Sequence, residues 1–192
     1  MAVRLSKGDR VSLSKDRVVT NILVGLGWSS SSFSDDDYDL DASCFILQKN
    51  GITRYEQDFV FYGNKTSKNG SVQHSGDNLH GSSGDSDDET IIVDLAKLPS
   101  YADKLVFVVS IYEAERRMQN FSIMNKAYIR VVDQATGEEI LRYDLKDKFD
   151  VESCIIPGEI YREGSEWKFH AVGQGAGGLA DLCKMFGLEV EE

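Results

Sequence analysis

The chain has 192 residues, 41% of them hydrophobic, and carries 32 acidic against 21 basic side chains for a net charge of −11. That length allows one domain with a full core, burying roughly 70% of the surface an unfolded chain exposes. The charge excludes a nucleic-acid backbone as the main partner, because phosphate binding needs clustered Lys and Arg, and only Arg116 and Arg117 stand side by side.

In chain order, the segment from Met1 to Asp9 lacks the apolar run of a signal peptide, and no stretch reaches transmembrane length, so the cytosol is the expected location. Thr20 to Trp28 reads as a strand with Ile22, Val24, Leu26 and Trp28 on one face and Leu23, Gly25 and Gly27 on the other. Ser43 to Gln48 is a second strand, followed by Asn50-Gly51, which suits a type I′ hairpin turn. Residues 58–62, 90–95, 104–112, 127–133, 139–145, 154–162 and 167–172 are further strands, with turns at Gly137 and Gly164. Between Asn64 and Asp88 the chain is rich in Gly, Ser, Asn and Asp and is expected to supply no core residues. A short helix is predicted over 114–121. A C-terminal helix is predicted from Leu179, Leu182, Cys183 and Phe186, which follow the i, i+3, i+4, i+7 rule.

Many short strands with regular turns define an all-β fold, a β-sandwich of two mainly antiparallel sheets, with a short helix after a central strand and the final helix lying on the sandwich. With no internal repeat and no linker, residues 1–192 form one expected domain. Cys44, Cys154 and Cys183 are far apart and form no CxxC pair, so a thiolate zinc or redox site has no support.

Two acidic segments, each just before a strand, carry the chemistry. One is Asp35-Asp36-Asp37-Tyr38-Asp39-Leu40-Asp41, and the other runs from Gly76 to Glu89. Asp39 and Asp41 are two apart, so an extended backbone turns both carboxylates one way. Two unit charges about 4 Å apart repel by about 4 kcal/mol at an effective dielectric near 20, so such crowding must be relieved by spreading, protonation or a cation. Hard oxygens without convergent His or Cys select calcium or magnesium over zinc, and loosely constrained loops suit calcium. The second segment is not an EF-hand, since counting from Asp77 puts Leu79 and Gly81 where ligands belong. On composition alone, an acidic Ser/Gly loop is most often simply solvated.

These segments, read with their neighbours, resemble the TerD family of tellurite-resistance and stress-response proteins. The likeness runs through Val24-Gly25-Leu26-Gly27-Trp28, Asp39-Leu40-Asp41-Ala42-Ser43, Gly76-Asp77-Asn78 and Asp87-Asp88-Glu89. It continues through Arg117 to Phe121, Ala127 to Arg130, Arg142 to Leu145, Gly158 to Arg162, Glu166 to Phe169 and Ala171 to Gly175. The resemblance implies a calcium-binding β-sandwich, not an enzyme, that acts in stress resistance beside membrane-linked Ter proteins. Carried over by position, it implies calcium ligands at Asp39, Asp41, Asp77, Asn78, Asp85, Asp87, Asp88, Glu89 and Glu113. Ser82, Ser83 and Ser86 stand where the family has more acid and glycine, and the loop runs one residue longer.

Other signals are weaker. Gly173 to Gly178 matches GxGxxG, but only fourteen residues follow it, too few for the parallel strand and acid that a dinucleotide site needs. No GxSxG elbow is present. Two other functions compete with the calcium module: calcium-dependent binding to anionic membrane in the manner of C2-like sandwiches, and a metal-dependent hydrolase using clustered carboxylates.

Overall fold

The computed structural model describes residues 2–14, 18–30, 38–75 and 87–190. The strands in chain order are β1 (Val3–Leu5), β2 (Arg10–Ser12), β3 (Asn21–Ser30), β4 (Leu40–Leu47), β5 (Phe59–Val60) and β6 (Val72–His74). They continue with β7 (Glu89–Asp94), β8 (Lys104–Ile111), β9 (Met124–Asp133), β10 (Glu139–Leu145), β11 (Cys154–Glu163) and β12 (Glu166–Ala176). Two helices, α1 (Ala114–Arg117) and α2 (Leu179–Met185), complete the set, with 3-10 turns at Glu56–Asp58 and Phe121–Ile123.

The strands form two sheets of six, one in the order β1-β10-β9-β3-β7-β6 and one in the order β2-β12-β11-β8-β4-β5. All the pairings are antiparallel except β1 on β10. This is the β-sandwich that the spacing of short strands predicts.

The first sheet alternates as a one-sided sheet should. Ile22, Val24 and Leu26 of β3 and Ile129 and Val131 of β9 are fully buried between the sheets. Gly25, Gly27, Tyr128 and Arg130 lie on the opposite face by the two-residue period. The second sheet is buried on both faces, which is why β4 and β8 read as continuous apolar runs. Ala42, Cys44, Ile46, Leu105 and Phe107 enter the core between the sheets. Phe45, Leu47, Val106 and Val108 face the other way, under Leu182, Cys183 and Phe186 of the C-terminal region. The rings of Phe45 and Phe186 lie 4.9 Å apart. Burying each such side chain contributes about 1.5 to 3 kcal/mol, so the stripe on α2 holds the helix to the sheet as its spacing predicts.

Four expectations change. First, the segment between Asn64 and Asp88 does supply core: Val72 is fully buried, and β6 extends the edge of the first sheet. Ser67, Ser71 and His74 are buried beside it, each with hydrogen-bond partners, so polar composition did not exclude the segment from the interior. Second, the turn at Asn50-Gly51 is not type I′, which needs positive φ at both residues. Only Gly51 has it (+82°), while Gln48 O accepts from Gly51 N and Ile52 O from Gln48 N, the pattern of a type I turn followed by a left-handed glycine. Third, the first helix stops at Arg117 rather than at residue 121. Met118 turns left-handed (φ 51°) and closes its N–H on Ala114 O and Glu115 O. Fourth, the short strands β1, β2 and β6 lie where none is expected, because three-residue strands at sheet edges carry almost no periodic signal.

All three cysteines are free and buried. Burial pushes the Cys44 thiol far up, Cys154 to about 12 and Cys183 to about 11. Since the thiolate is the reactive form, native protein at pH 8 is expected to resist iodoacetamide, with all three cysteines alkylated only in denaturant; mass spectrometry of the intact chain reads the difference. Among the described residues, no helix is long and apolar enough to cross a membrane.

Candidate functional site

The strand register brings the flanks of both acidic loops to one end of the sandwich. Residues 31–39 leave β3 at Ser30 and enter β4 at Leu40, and residues 75–88 join the end of β6 to the start of β7. Ser30 pairs with Met124, Leu26 with Glu89, and Leu40 with Ile111, so these strand ends are neighbours. Residues 112–123, with α1, and residues 146–153 close the same end, tied together by Phe121 N donating to Glu152 O at 3.0 Å.

Asp77, Asn78 and Asp85 lie outside the described residues. Asp39 borders β4, where its carbonyl accepts from Tyr112 N at 2.8 Å. Asp41 is buried within β4, opposite Ser110. Asp88 is buried and ends the β3–β7 ladder. Its N–H donates to Leu26 O (2.8 Å), and its carboxylate accepts from Trp28 N (2.7 Å), taking the place of the next strand residue.

Glu89 crosses the sandwich. It starts β7 in the first sheet, yet its Oε2 accepts from the backbone N of Ala42 in the second sheet at 2.5 Å. His74 at the end of β6 joins it. His74 Nε2 lies 3.1 Å from both Glu89 Oε2 and Ala42 O. Two acceptors face that nitrogen, so it carries the hydrogen and donates to both. Both side chains are fully buried. The three groups form a polar rivet between the sheets, immediately before Ser43 and beside Asp41.

Asp87 is differently engaged. Arg130 Nε and Nη2 donate to its two carboxylate oxygens at 2.8 Å each, and Tyr128 Oη donates to Oδ1 at 2.9 Å. A Cβ on Gly25 would sit 2.3 Å from the Asp87 carboxylate, and one on Gly27 would sit 2.3 Å from the Tyr128 ring. The glycines of β3 therefore leave the room that this network fills. Arg142 stacks on the other side, its guanidinium 3.7 Å from the Tyr128 centroid. Burial and the Asp87 hydrogen bond raise the Tyr128 hydroxyl well above the usual phenol range.

Glu113 is left-handed (φ 49°), and Arg116 Nη1 donates to both of its carboxylate oxygens at 2.8 Å, with Arg117 Nε 3.8 Å away. Among the described residues, no three His, Cys, Asp or Glu side chains converge as a metal cluster. The described acids therefore divide in two. Asp87 and Glu113 are held by arginines, whereas Asp39, Asp41, Asp88 and Glu89 flank the chain segments that join β3 to β4 and β6 to β7. His74, Tyr128, Arg130 and Arg142 are participants that the reading of the acidic segments did not single out, although Tyr128, Arg130 and Arg142 lie in segments that carry the family resemblance. A further signal for the network at Asp87 and Tyr128 is the pair of glycines on the outward face of β3, which leaves room that those side chains fill.

A two-sheet sandwich with acidic segments entering β4 and β7 at one end places the chain in a definite class of β proteins. Two solved structures share the fold: an unknown function protein, SAV2460 (TM-score 0.70, 21% identity, 90% of this chain and 99% of that one), and a homologue of the telluride resistance protein TerD, SCO6318 from Streptomyces coelicolor A3(2) (TM-score 0.65, 18% identity, 90% and 100%). The TerD domain matches residues 1–186, and the chain belongs to the TerD family. The chain is 49% identical over 190 residues to the tellurium resistance protein TerD of Serratia marcescens, covering 98% of each chain. It is 44% identical over 193 residues to general stress protein 16U of Bacillus subtilis, covering 99% of this chain and all of that one. Tellurite resistance and stress response are the setting of the family.

Proposed function

We propose that this chain is a calcium-binding, non-catalytic stress-response module of the cytosol, in which the ion orders one end of the sandwich into a surface for a protein partner, Ter-type proteins at the membrane being the leading class. One observation carries the reading: the flanks of two acidic loops, far apart in sequence, meet at the same end, with Asp41, Asp88 and Glu89 buried there. Asp39, Asp41, Asp88 and Glu89 are the described donors in this reading, with Asp77, Asn78 and Asp85 completing the six to eight oxygens that calcium takes. Asp87 and Glu113 then serve as struts, since binding an ion would mean releasing their arginines. The donor chemistry fits a hard cation: the buried thiols lie elsewhere and His74 is occupied. A bound ion would relieve the repulsion among these carboxylates and fix the loops that carry them.

Calcium is expected to raise the melting temperature of chelator-stripped protein, because a ligand that binds only the folded state stabilises it by about 2.7 kcal/mol at one hundred times its Kd. For a chain of this size that is a shift of about 5 to 10 °C. Asp41→Asn should reduce the shift without changing the fold, and magnesium should give a smaller one. A melting curve insensitive to both EDTA and millimolar calcium would end this reading.

A second reading, calcium-dependent docking on anionic membrane, gains from one observation. Met118 and Val151, 92% and 81% exposed, project from the two linked loops at that end, beside exposed Arg116, Lys146 and Lys148. Calcium-dependent co-sedimentation with phosphatidylserine vesicles, lost in Met118→Asp, would favour it over a protein partner.

A further inference from the structure

We propose that the groove between β5 and the C-terminal tail receives an amphipathic helix of a partner protein, one whose apolar stripe is flanked by Lys or Arg. The groove holds about 460 Å³ and lies on the outer face of the second sheet. β5 and the residue after it supply Phe59 and Phe61, the tail after α2 supplies Leu188 and Val190, and Glu56 and Glu189 also line it. It shares no residue with the acidic loops, and its occupancy does not depend on calcium.

Both walls stand before any partner arrives. Phe59 stacks on buried Phe45 with 4.3 Å between centroids, and Phe61 stacks on Phe59 at 4.5 Å. The tail is pinned where Thr53 N and Oγ1 donate to Phe186 O (2.9 and 3.2 Å) and Leu188 N donates to Cys183 O (2.9 Å). A preformed apolar hollow takes anchoring side chains at little ordering cost. An added β-strand does not suit it, because the neighbouring sheet edge is closed. Phe61 and Asn64 exchange both backbone hydrogen bonds at 3.0 Å, and Asn64 Nδ2 donates to Phe59 O at 2.7 Å. Strand addition therefore finds no free acceptor at Phe59 or Phe61.

Charge selects among the remaining occupants. Glu56 and Glu189 are exposed, and neither carboxylate has a hydrogen bond or ion pair among the described residues. No lining residue is basic among the described residues. Unneutralised acids beside an apolar groove disfavour fatty acids and anionic lipid, and a net charge of −11 disfavours a second copy of the chain. A helix with apolar side chains at i, i+3, i+4 and i+7 and Lys or Arg beside them matches both the hollow and its acids.

The titration is run in EDTA, so that its failure is distinct from failure of the calcium reading. A synthetic helix of about eighteen residues, leucine on one stripe and lysine elsewhere, is expected to bind saturably, with amide shifts concentrated in residues 56–64 and 183–190. A scrambled peptide of the same composition, which keeps the charge and loses the stripe, should bind at least about tenfold more weakly. Val190→Ser should weaken the helix about tenfold, the worth of one branched side chain, and leave the urea midpoint nearly unchanged. Glu56→Gln with Glu189→Gln should weaken it about fivefold at low salt and flatten its salt dependence. Glu115→Gln with Asp150→Asn, which alters two exposed acids at the acidic end, should do neither. Equal binding of the scrambled peptide, an unaltered affinity in Val190→Ser, or equal losses in the two acid pairs would each overturn the proposal. So would shifts of the same amides by oleate or by dimerisation of the chain, with the leucine-lysine helix inert.

Discussion

Replacing Glu89 with alanine is expected to destabilise the protein by about 3 to 5 kcal/mol, the usual cost of removing one partner from a buried, hydrogen-bonded polar pair. The loss has two parts. The Ala42 N–H would be left buried without its 2.5 Å acceptor, and His74 Nε2 would lose one of its two acceptors. Each stranded group costs about 1 to 3 kcal/mol, and the vacated carboxyl leaves a cavity. Urea unfolding in EDTA reads the effect apart from any bound ion. Glu89→Gln keeps an oxygen for Ala42 N and exchanges a charged acceptor for a neutral one, so its cost should be nearer about 1 kcal/mol. If alanine and glutamine cost the same, the link between the sheets does not hold them together, and Glu89 is reserved for another role.

The second large effect is expected at Arg130. Arg130→Met would strand the Asp87 carboxylate, whose side chain is only 7% exposed, with Tyr128 Oη as its one described donor. Arg130 itself is 28% exposed, which places the cost near the lower end of the buried-pair range, about 3 kcal/mol, or on the order of 10 °C in melting temperature. Asp87→Ala combined with Arg130→Met should cost less than the sum of the two single changes, since the cycle isolates their coupling. Gly25→Ala probes the same network from beneath. Its methyl would meet the Asp87 carboxylate at 2.3 Å, and overpacking of this kind costs about 1 to 3 kcal/mol. Additive effects across the three positions would show that the network does not act as a unit.

Some of this could be read before any coordinates. The alternation of Ile22, Val24 and Leu26 marked one face of a strand, the apolar run of β8 marked a strand, and Leu179, Leu182, Cys183 and Phe186 marked a helix lying on the sandwich; that this helix covers the second face of β8 emerged only with the fold. Each of these signals is local, carried by neighbours a few residues apart. The site was less legible because its parts are not local. Arg130 is matched to Asp87, and Glu89 to Ala42, only once the sheets have formed. The acids themselves were visible as a class, but nothing in their spacing separates an acid gripped by arginine from one at the border of a loop. Val72 was missed for a related reason: a lone valine among polar residues becomes core only because β6 pairs with β7.

The first two strands sit on different sheets, β1 beside β10 and β2 beside β12. Val3 lies against Leu141, and Val11 against Phe169. A growing polypeptide therefore cannot seat β1 and β2 until β10 and β12 have emerged from the ribosome. Until then, β10 and β12 each offer an uncovered row of backbone donors and acceptors, the kind of border along which separate molecules join. The docking of β1 and β2 thus waits on strands made more than a hundred residues later, and it closes one border of each sheet.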